Sequence, residues 1–429
     1  MREQRRRTAV VGSGVAGLTA AHILRSVHDV TLYEADDRLG GHAHTHDVPG
    51  ADGRTHAVDS GFIVHNDRTY PHLLRLFREL AVTSQPTEMS MSVRCEGCGL
   101  EYAGARGPRG LFAQPRNALR GPFLRMLSEI PRFHRRAAQS LAAGEQGADG
   151  TEPDGGTFGA FLTRHGFSHY FVRHFAVPLV SAVWSCPPGT ALRYPARHLF
   201  RFLDHHGMLT VSGSPTWRTV AGGSRQYVER VGKQLQSVHT STPVRSVRRG
   251  EGRVTLTTED GTTDTYDSVV VAVHPDQALR LLADASAQER EILGAFPYSR
   301  NPALLHTDTT VLPHSRAARA SWNYLLPSCG ATTDHVRVSY DMSRLQRLDA
   351  PETYVVTLGG DERIGPDRVL ARMAYEHPVY TPESVAAQRR LPSLSGPVTA
   401  FAGAYHGWGF HEDGCRSGVE AAQALGVRW

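Results

Sequence analysis

Apolar residues recur along this chain in two rhythms, and the rhythms divide it into elements. Short apolar runs at residues 9–11, 30–33 and 267–274 predict strands buried on both faces. Residues 18–24 start a helix after the first run. Residues 59–64 read as a further strand. Residues 70–80 predict a helix with Leu73, Leu74, Phe77 and Leu80 on one face. Gly222-Gly223 opens a helix to about residue 235. Residues 243–248, 253–258 and 263–266 are short strands, with Asp260-Gly261 as a hairpin turn. Pro275 opens a helix carrying Leu279, Leu281 and Leu282. Residues 303–310, 320–326, 335–340 and 353–358 predict an antiparallel sheet, and residues 142–156 an exposed loop. A strand, an aromatic glycine loop and a helix close the chain. This order implies an α/β fold, α+β overall: a parallel sheet with helices, plus a second domain of antiparallel sheet and helices.

The first strand–helix junction carries chemistry. Gly12-x-Gly14-x-x-Gly17 lies between the apolar run and the helix, and Glu34 follows Gly14 by twenty residues at the end of the second strand. Glycines at that spacing give a tight turn, close backbone approach to a pyrophosphate and close helix packing. The acid accepts hydrogen bonds from a ribose diol. Gly12, Gly14, Ala16, Gly17, Glu34 and Ala35 are therefore expected to bind a dinucleotide in a Rossmann-like domain.

The flanking segments choose the dinucleotide. Arg38-Leu-Gly-Gly41, followed by His42, resembles the second glycine pair of the flavin amine oxidase, phytoene desaturase and protoporphyrinogen oxidase superfamily. The segment from Val398 through Gly403, Gly414 and Gly418 resembles the superfamily's closing segment, although its two helix glycines stand one residue closer than usual. The resemblance implies FAD rather than NAD. It places Arg38, Gly40, Gly41, His42, Gly61, Gly403 and Gly414 at the cofactor, and the strand containing Val244 beside the adenine. It also implies a discontinuous FAD-binding domain, residues 1–64, 217–282 and 393–429, with 65–216 and 283–392 left for a substrate domain. No cysteine falls in the superfamily's covalent-flavin pattern, so noncovalent FAD is expected.

Composition narrows the setting. A length of 429 residues with 40% hydrophobic content suffices for two connected domains. A net charge of +5 is too small and too scattered to argue nucleic-acid binding. Arg5-Arg-Arg7 precedes an apolar stretch, but that stretch holds the glycine motif and is not an export signal. No run is long and apolar enough to span a membrane. A cytoplasmic protein with reduced thiols is expected.

Three clusters invite sharper readings. Cys95-Glu-Gly-Cys98 has zinc or redox spacing, but a structural zinc site needs four ligands and no second Cys-x-x-Cys exists. Asp, Glu or His partners remain open, and the expectation is a hairpin tip with incidental thiols and no metal. His42, His44 and His46 alternate; they are read as a polar lining of the FAD cleft. Residues 106–136 hold eight arginines against one acid, Glu129, interleaved with apolar residues. That pattern suits a helix packed on its own domain, or peripheral contact with an anionic membrane.

Tyr405, His406, Trp408, Phe410 and His411 precede or open the last helix, in a loop that borders the flavin in the superfamily. With Trp184, Tyr194, Trp322 and Tyr324 they are candidates for a substrate cage, and His406 or His411 for the catalytic base. Lys233 is the sole lysine. It lies in an FAD-domain helix, so the lysine that amine oxidases place near flavin N5 is missing. Three segments, 40–45, 58–71 and 409–414, resemble a narrower group of bacterial flavoproteins associated with cyclopropane-fatty-acid-synthase-like methyltransferases. That resemblance implies an FAD oxidoreductase that oxidises, desaturates or isomerises a small apolar substrate, of which an acyl chain is one candidate, by hydride transfer to N5. The alternatives are a true amine oxidase releasing hydrogen peroxide and a non-catalytic FAD-stabilised binding protein. The electron acceptor and the oligomeric state are left open.

Overall fold

The computed structural model describes residues 5–146, 156–210, 214–330 and 334–429. Strand β1 (Arg6–Val11), helix α1 (Val15–Leu24) and strand β2 (His28–Tyr33) form the first unit. β1 and β2 join Ser237–His239, Ser268–Val271 and Thr399–Phe401 in a five-stranded, all-parallel sheet. Its strands come from three distant parts of the chain.

The strands read as solid apolar runs because both faces are covered. Val10, Leu32, Val270 and Ala400 face α1 and the final helix, His411–Ala424. The alternate residues Ala9, Val11, Val269, Val271 and Phe401 face a three-stranded antiparallel sheet, Val244–Gly250, Arg253–Thr258 and Thr263–Tyr266, and the helices that follow it.

A seven-stranded sheet forms the other half. Its order is Val369–Pro378, Tyr298–His306, Val355–Leu358, Val338–Asp341, Trp322–Leu326, Met91–Cys95 and Leu100–Ala103. Only the Trp322–Leu326/Met91–Cys95 pair is parallel. Helices Gly121–Gln146, Phe158–Arg164, Val177–Trp184 and Ala196–His205 pack beside it. Phe133 is fully buried among Phe158, Phe161, Phe167, Phe171, Phe175 and Phe200, all within 6.3 Å by ring centroid. Edge and T-shaped contacts dominate, as the quadrupoles of aromatic rings favour.

Several expected elements shift. Residues 59–64 are not one strand: Thr55–Asp59 and Val64–Asn66 flank a bend at Gly61. The helix opened by Gly222-Gly223 spans Arg225–Gly232, and that at 70–80 spans Pro71–Glu79 with Leu74 only partly buried. The expected loop at 142–156 is helical to Gln146; residues 147–155 lie outside the described part. The ten-residue strand Val369–Pro378 carries no clean apolar alternation, because it is a sheet edge with charged Arg372 and Glu376. The basic segment is three short pieces and a long helix, not one amphipathic helix. Phe123, Met126 and Phe133 turn inward to the core.

Candidate active site

Backbone conformation builds the cofactor cradle. Gly12 has φ +97°, and a Cβ there would lie 2.5 Å from the Ala272 oxygen. A Cβ on Gly17 would lie 1.9 Å from the Gly12 oxygen, so α1 packs against the turn with no room for a side chain. Gly14 is the opposite case. It is the N-cap of α1, has no side-chain cap, and a Cβ there would meet nothing within 4 Å. The first-turn N–H groups of α1 are thus open to an anion, which the helix dipole favours.

Glu34 follows β2. Its carboxylate accepts from Ser13 N–H at 2.8 Å, from Ser13 Oγ at 2.5 Å and from Asp36 N–H at 3.0 Å. The Thr242 N–H donates to the Glu34 carbonyl at 2.9 Å, which brings the chain leading to Val244 alongside. Ala35 is exposed at the same edge.

The second glycine pair lies on the first. A Cβ on Gly41 would approach Gly14 Cα to 3.3 Å, Gly40 N–H donates to the Ser13 carbonyl at 3.1 Å, and Arg38 donates to the Gly41 carbonyl at 2.8 Å. Gly61 allows close passage by His42, since a Cβ there would lie 2.1 Å from the His42 oxygen. His42 is half-buried, with its Nε2 buried and lacking a partner, and its ring stands 5.0 Å from Tyr375, 5.5 Å from His377 and 6.4 Å from His274. Burial, reinforced by the two neighbouring imidazoles, pushes its pKa well down and keeps it neutral. His44 and His46 share a face as their alternation implies, 3.9 Å apart by ring centroid, and bind Tyr375 and Ser60. Tyr375 and His377 escaped the sequence reading because their edge strand did.

The closing segment returns the chain to the cradle. Gly403 N–H donates to Ser417 Oγ at 2.9 Å. A Cβ on Gly414 would lie 2.5 Å from Val15 Cγ1, and one on Gly418 2.4 Å from the Ala16 oxygen. Both glycines, and Ala16, therefore seat the final helix on α1. Helix packing excludes a side chain at Gly414, a position expected at the cofactor. An uncapped helix start, turns that a Cβ would fill, an acid at the end of β2 and the unpartnered His42 Nε2 together fit FAD.

The aromatic loop is held by its own helix. Asp413 accepts from Trp408 N–H at 2.9 Å and Phe410 N–H at 3.0 Å, and burial lifts its pKa to about 6. Trp184 Nε1–H donates to the Trp408 carbonyl at 3.0 Å, and Trp408 Nε1–H to the His198 carbonyl at 3.3 Å. Phe410 stacks on Phe202 at 4.8 Å and meets Trp184 at 6.3 Å. Trp184, Trp408 and Phe410 thus come together as expected, and Phe202, His198 and His206 join them unforeseen.

Two expected cage residues do not join. Tyr405 turns to the opposite core, fully buried beside Phe296, and Tyr324 is buried in the seven-stranded sheet near Ser181. Both are packing residues, as large aromatic side chains commonly are. His411 stacks on Phe62 at 3.5 Å and shares a 2.9 Å hydrogen bond with the Tyr227 hydroxyl. His406 keeps a buried Nε2 without a partner. Burial takes both pKa values down to about 3, so both rings are neutral near pH 7. Lys233 is exposed and pairs with Glu229 at 3.5 Å.

Residues 15–320 match the family described as flavin containing amine oxidoreductase. Carotenoid phi-ring synthase of Streptomyces griseus is 32% identical over 288 residues, which cover 64% of this chain and 53% of that protein. The chain spans about half the length of the curated relatives it matches. Among solved structures, a CLA-producing fatty acid isomerase from P. acnes superposes with TM-score 0.69 at 18% identity, covering 100% of both chains. Cyclohexylamine oxidase from Brevibacterium oxydans IH-35A superposes with TM-score 0.68 at 17% identity, over 98% of this chain and 99% of that one. At those identities the likeness is one of fold. The family match covers well over half of the chain, and this protein belongs to the flavin-containing amine oxidoreductase family.

Proposed function

We propose that this enzyme oxidises, desaturates or isomerises an apolar substrate of the acyl or polyene kind. The observation that carries the reading is the uncharged character of the aromatic loop. Trp184, Phe202, Trp408 and Phe410 are surrounded by imidazoles that burial keeps neutral, His198 down to about 3 and His206 to about 4. A protonated amine would rest there on ring faces, and pairing its charge would need a carboxylate. The two acids nearest in sequence are both committed: Asp413 to the loop N–H groups, and Glu412 to His72 N–H, Leu73 N–H and the His72 ring. Two relatives bear names in keeping with this reading, one for a carotenoid ring and one for a fatty acid.

Bound noncovalently in the cradle, FAD supplies the hydride acceptor. Trp408 and Phe410 offer apolar contact and exclude water. His406 is the better proton acceptor of the two candidates, because His411 Nε2 is already tied to Tyr227 while His406 Nε2 is free. Burial holds it at about 3, so its ring is neutral and its Nε2 lone pair unprotonated near pH 7.

Anaerobic mixing of the purified holoprotein with unsaturated fatty acids, polyenes and primary amines tests the reading. Bleaching of the flavin by the apolar set, slowed about tenfold or more in His406→Ala and less in His411→Ala, is expected. An isomerase shows product without net bleaching. Bleaching by amines alone, with hydrogen peroxide formed on admitting air, overturns it in favour of an amine oxidase.

A further inference from the structure

The fold completes a ligand set that the sequence leaves half made. The turn between strands Met91–Cys95 and Leu100–Ala103 carries Cys95 and Cys98. His174 arrives from a helical turn 76 residues beyond Cys98, and Cys329 follows strand Trp322–Leu326. Their four ligand atoms all lie within 4.8 Å of one another. Cys95 Sγ stands 3.5 Å from Cys329 Sγ, and Cys98 Sγ 3.7 Å from His174 Nε2. Tetrahedral zinc, with bonds of about 2.3 Å to sulfur and about 2.0 Å to nitrogen, sets its ligand atoms roughly 3.5–3.8 Å apart. We propose that Cys95, Cys98, His174 and Cys329 form a structural site for a tetrahedral zinc-class divalent ion.

The surroundings are those of a built site. His174 Nδ1 lies 3.1 Å from the Tyr170 carbonyl and donates to it, which leaves Nε2 as the lone pair that faces the sulfurs. The Tyr170 ring stacks on His174 at 4.0 Å, and the Tyr102 hydroxyl donates to the His174 carbonyl at 2.7 Å. His174 sits in a π-helical turn, Val172–Ala176, a local widening of the helix that often serves to aim one functional side chain. Gly97 is required by the knuckle: a Cβ there would lie 2.8 Å from Cys329 N and 2.9 Å from Ser328 Cα. The two chain segments therefore touch at the turn.

Charge is matched too. Three thiolates and a divalent cation leave one net negative charge. The Arg120 guanidinium donates to the Cys98 carbonyl at 3.0 Å, and that of Arg173 donates to the Cys329 carbonyl. All four ligand positions are filled by protein, so this is a closed, structural arrangement and not a catalytic one. It ties the edge of the seven-stranded sheet, the helical part and the segment after Trp322–Leu326 at one point. Cys186 and Cys415 are buried elsewhere and take no part.

Protein purified without a histidine tag or chelator from zinc-replete cells should hold about one zinc per chain by elemental analysis. Cobalt grown in its place should give ligand-field absorption to the red of the flavin bands and a sulfur-to-cobalt charge-transfer band. Cys98→Ser, His174→Asn and Cys329→Ser should fall below about a tenth of an ion per chain and melt at lower temperature, while Cys186→Ser keeps its zinc. If these variants fail to fold, wild-type stoichiometry and the cobalt spectrum still decide. Zinc below about a tenth per chain in the wild type overturns the site. So does a Cys95–Cys329 disulfide found by peptide mass spectrometry, or full zinc in the ligand variants.

Discussion

The cradle and the aromatic loop are both glycine-rich and both end on the same helix, yet they are held by different forces. The cradle is backbone against backbone. Gly12, Gly17, Gly41 and Gly61 stand where a single carbon would overlap main-chain atoms or crowd them. The aromatic loop is side chain against side chain, with one buried carboxylate gathering its N–H groups and large rings filling the remainder. Main-chain contacts tolerate almost no substitution, because the backbone cannot rotate away. Ring contacts yield gradually, since neighbours repack. The difference suits the tasks: a cofactor cradle must fit one invariant molecule, whereas a substrate wall sets a range.

The hardest test of that contrast is Gly17→Ala. Its Cβ would lie 1.9 Å from the Gly12 oxygen and 3.2 Å from Ala272 Cβ. Overpacking of this kind costs roughly 1–3 kcal/mol, and here it also displaces the turn that meets the pyrophosphate. Purified variant should retain less than about a tenth of the wild-type FAD, read from the flavin absorbance per protein; each tenfold loss is about 1.4 kcal/mol of binding. Retention of a full complement would show that the turn is not the cofactor contact.

The same contrast explains what the sequence disclosed. Gly12, Gly14, Gly17 and Glu34 lie within one strand–helix–strand unit, so their spacing is their geometry. The parallel strands were readable because burial on both faces leaves solid apolar runs. The aromatic cluster needs Trp184 to meet Trp408 across 224 positions, and Tyr405 and Tyr324 look the same in sequence although both belong to the core. The Cys95–Cys98 turn was legible, but its partners are far along the chain and one is a histidine among 23. The edge strand Val369–Pro378, with Tyr375 and His377, hid behind its charged residues.

Acid should destabilise both regions through their buried imidazoles. His198, His406 and His411 have folded pKa values near 3 and His206 near 4, below about 6.5 when unfolded. Their stabilising contribution is complete above 6.5 and is lost as pH falls through 6.5 toward those values. Each imidazole contributes about 1.4 kcal/mol per pH unit in that window. Asp413 and Asp59 act oppositely. Burial raises both to about 6 from 3.8, so their contribution is present at low pH and lost as pH rises through 6. His44, held at about 3, and His65, His306 and His377, held at about 4, act in the same direction as the loop imidazoles, so the imidazoles outnumber these carboxyls and stability falls on acidification from pH 6 to 5. A melting temperature that drops by a few degrees over that interval is expected. A flat or rising profile would mean that the imidazoles open to water.

Trp408→Ala should separate the two regions cleanly. It removes the ring contacts to His198, Phe202 and His205 and the Nε1 hydrogen bond to the His198 carbonyl, and keeps the Trp408 backbone carbonyl that accepts from Trp184. FAD content should stay near wild type, while KM for an apolar substrate rises about tenfold, equivalent to about 1.4 kcal/mol of lost contact. Loss of flavin together with stability would reduce the loop to packing between the two halves.

A smaller effect is proposed at the surface. Leu119, Leu124 and Phe112 are exposed within the basic segment, near Arg109, Arg116 and Arg125 in sequence. Exposed arginines contribute up to ~1 kcal/mol each toward an anionic bilayer. Co-sedimentation with anionic vesicles should exceed that with neutral ones a few-fold and fall with added salt. Equal binding to both, or none, leaves the segment as a wall of its own half.

The smallest expected effect belongs to Lys233→Met, and its smallness is the point. An amine-oxidase lysine acts from within the site, close to the reacting atoms. Lys233 is the C-cap of the helix Arg225–Gly232, its side chain is 76% exposed, and among the described residues its only ion pair is the 3.5 Å contact with Glu229. An exposed pair at helical spacing is worth a few tenths of a kcal/mol. The variant should therefore keep its FAD, its melting temperature within about a degree and its rate of flavin reduction within about twofold. A selective loss of reduction rate, with flavin and fold intact, would bring Lys233 into the chemistry from an unexpected direction. It would also weaken the apolar-substrate reading, because that reading relies on a site that works without a lysine.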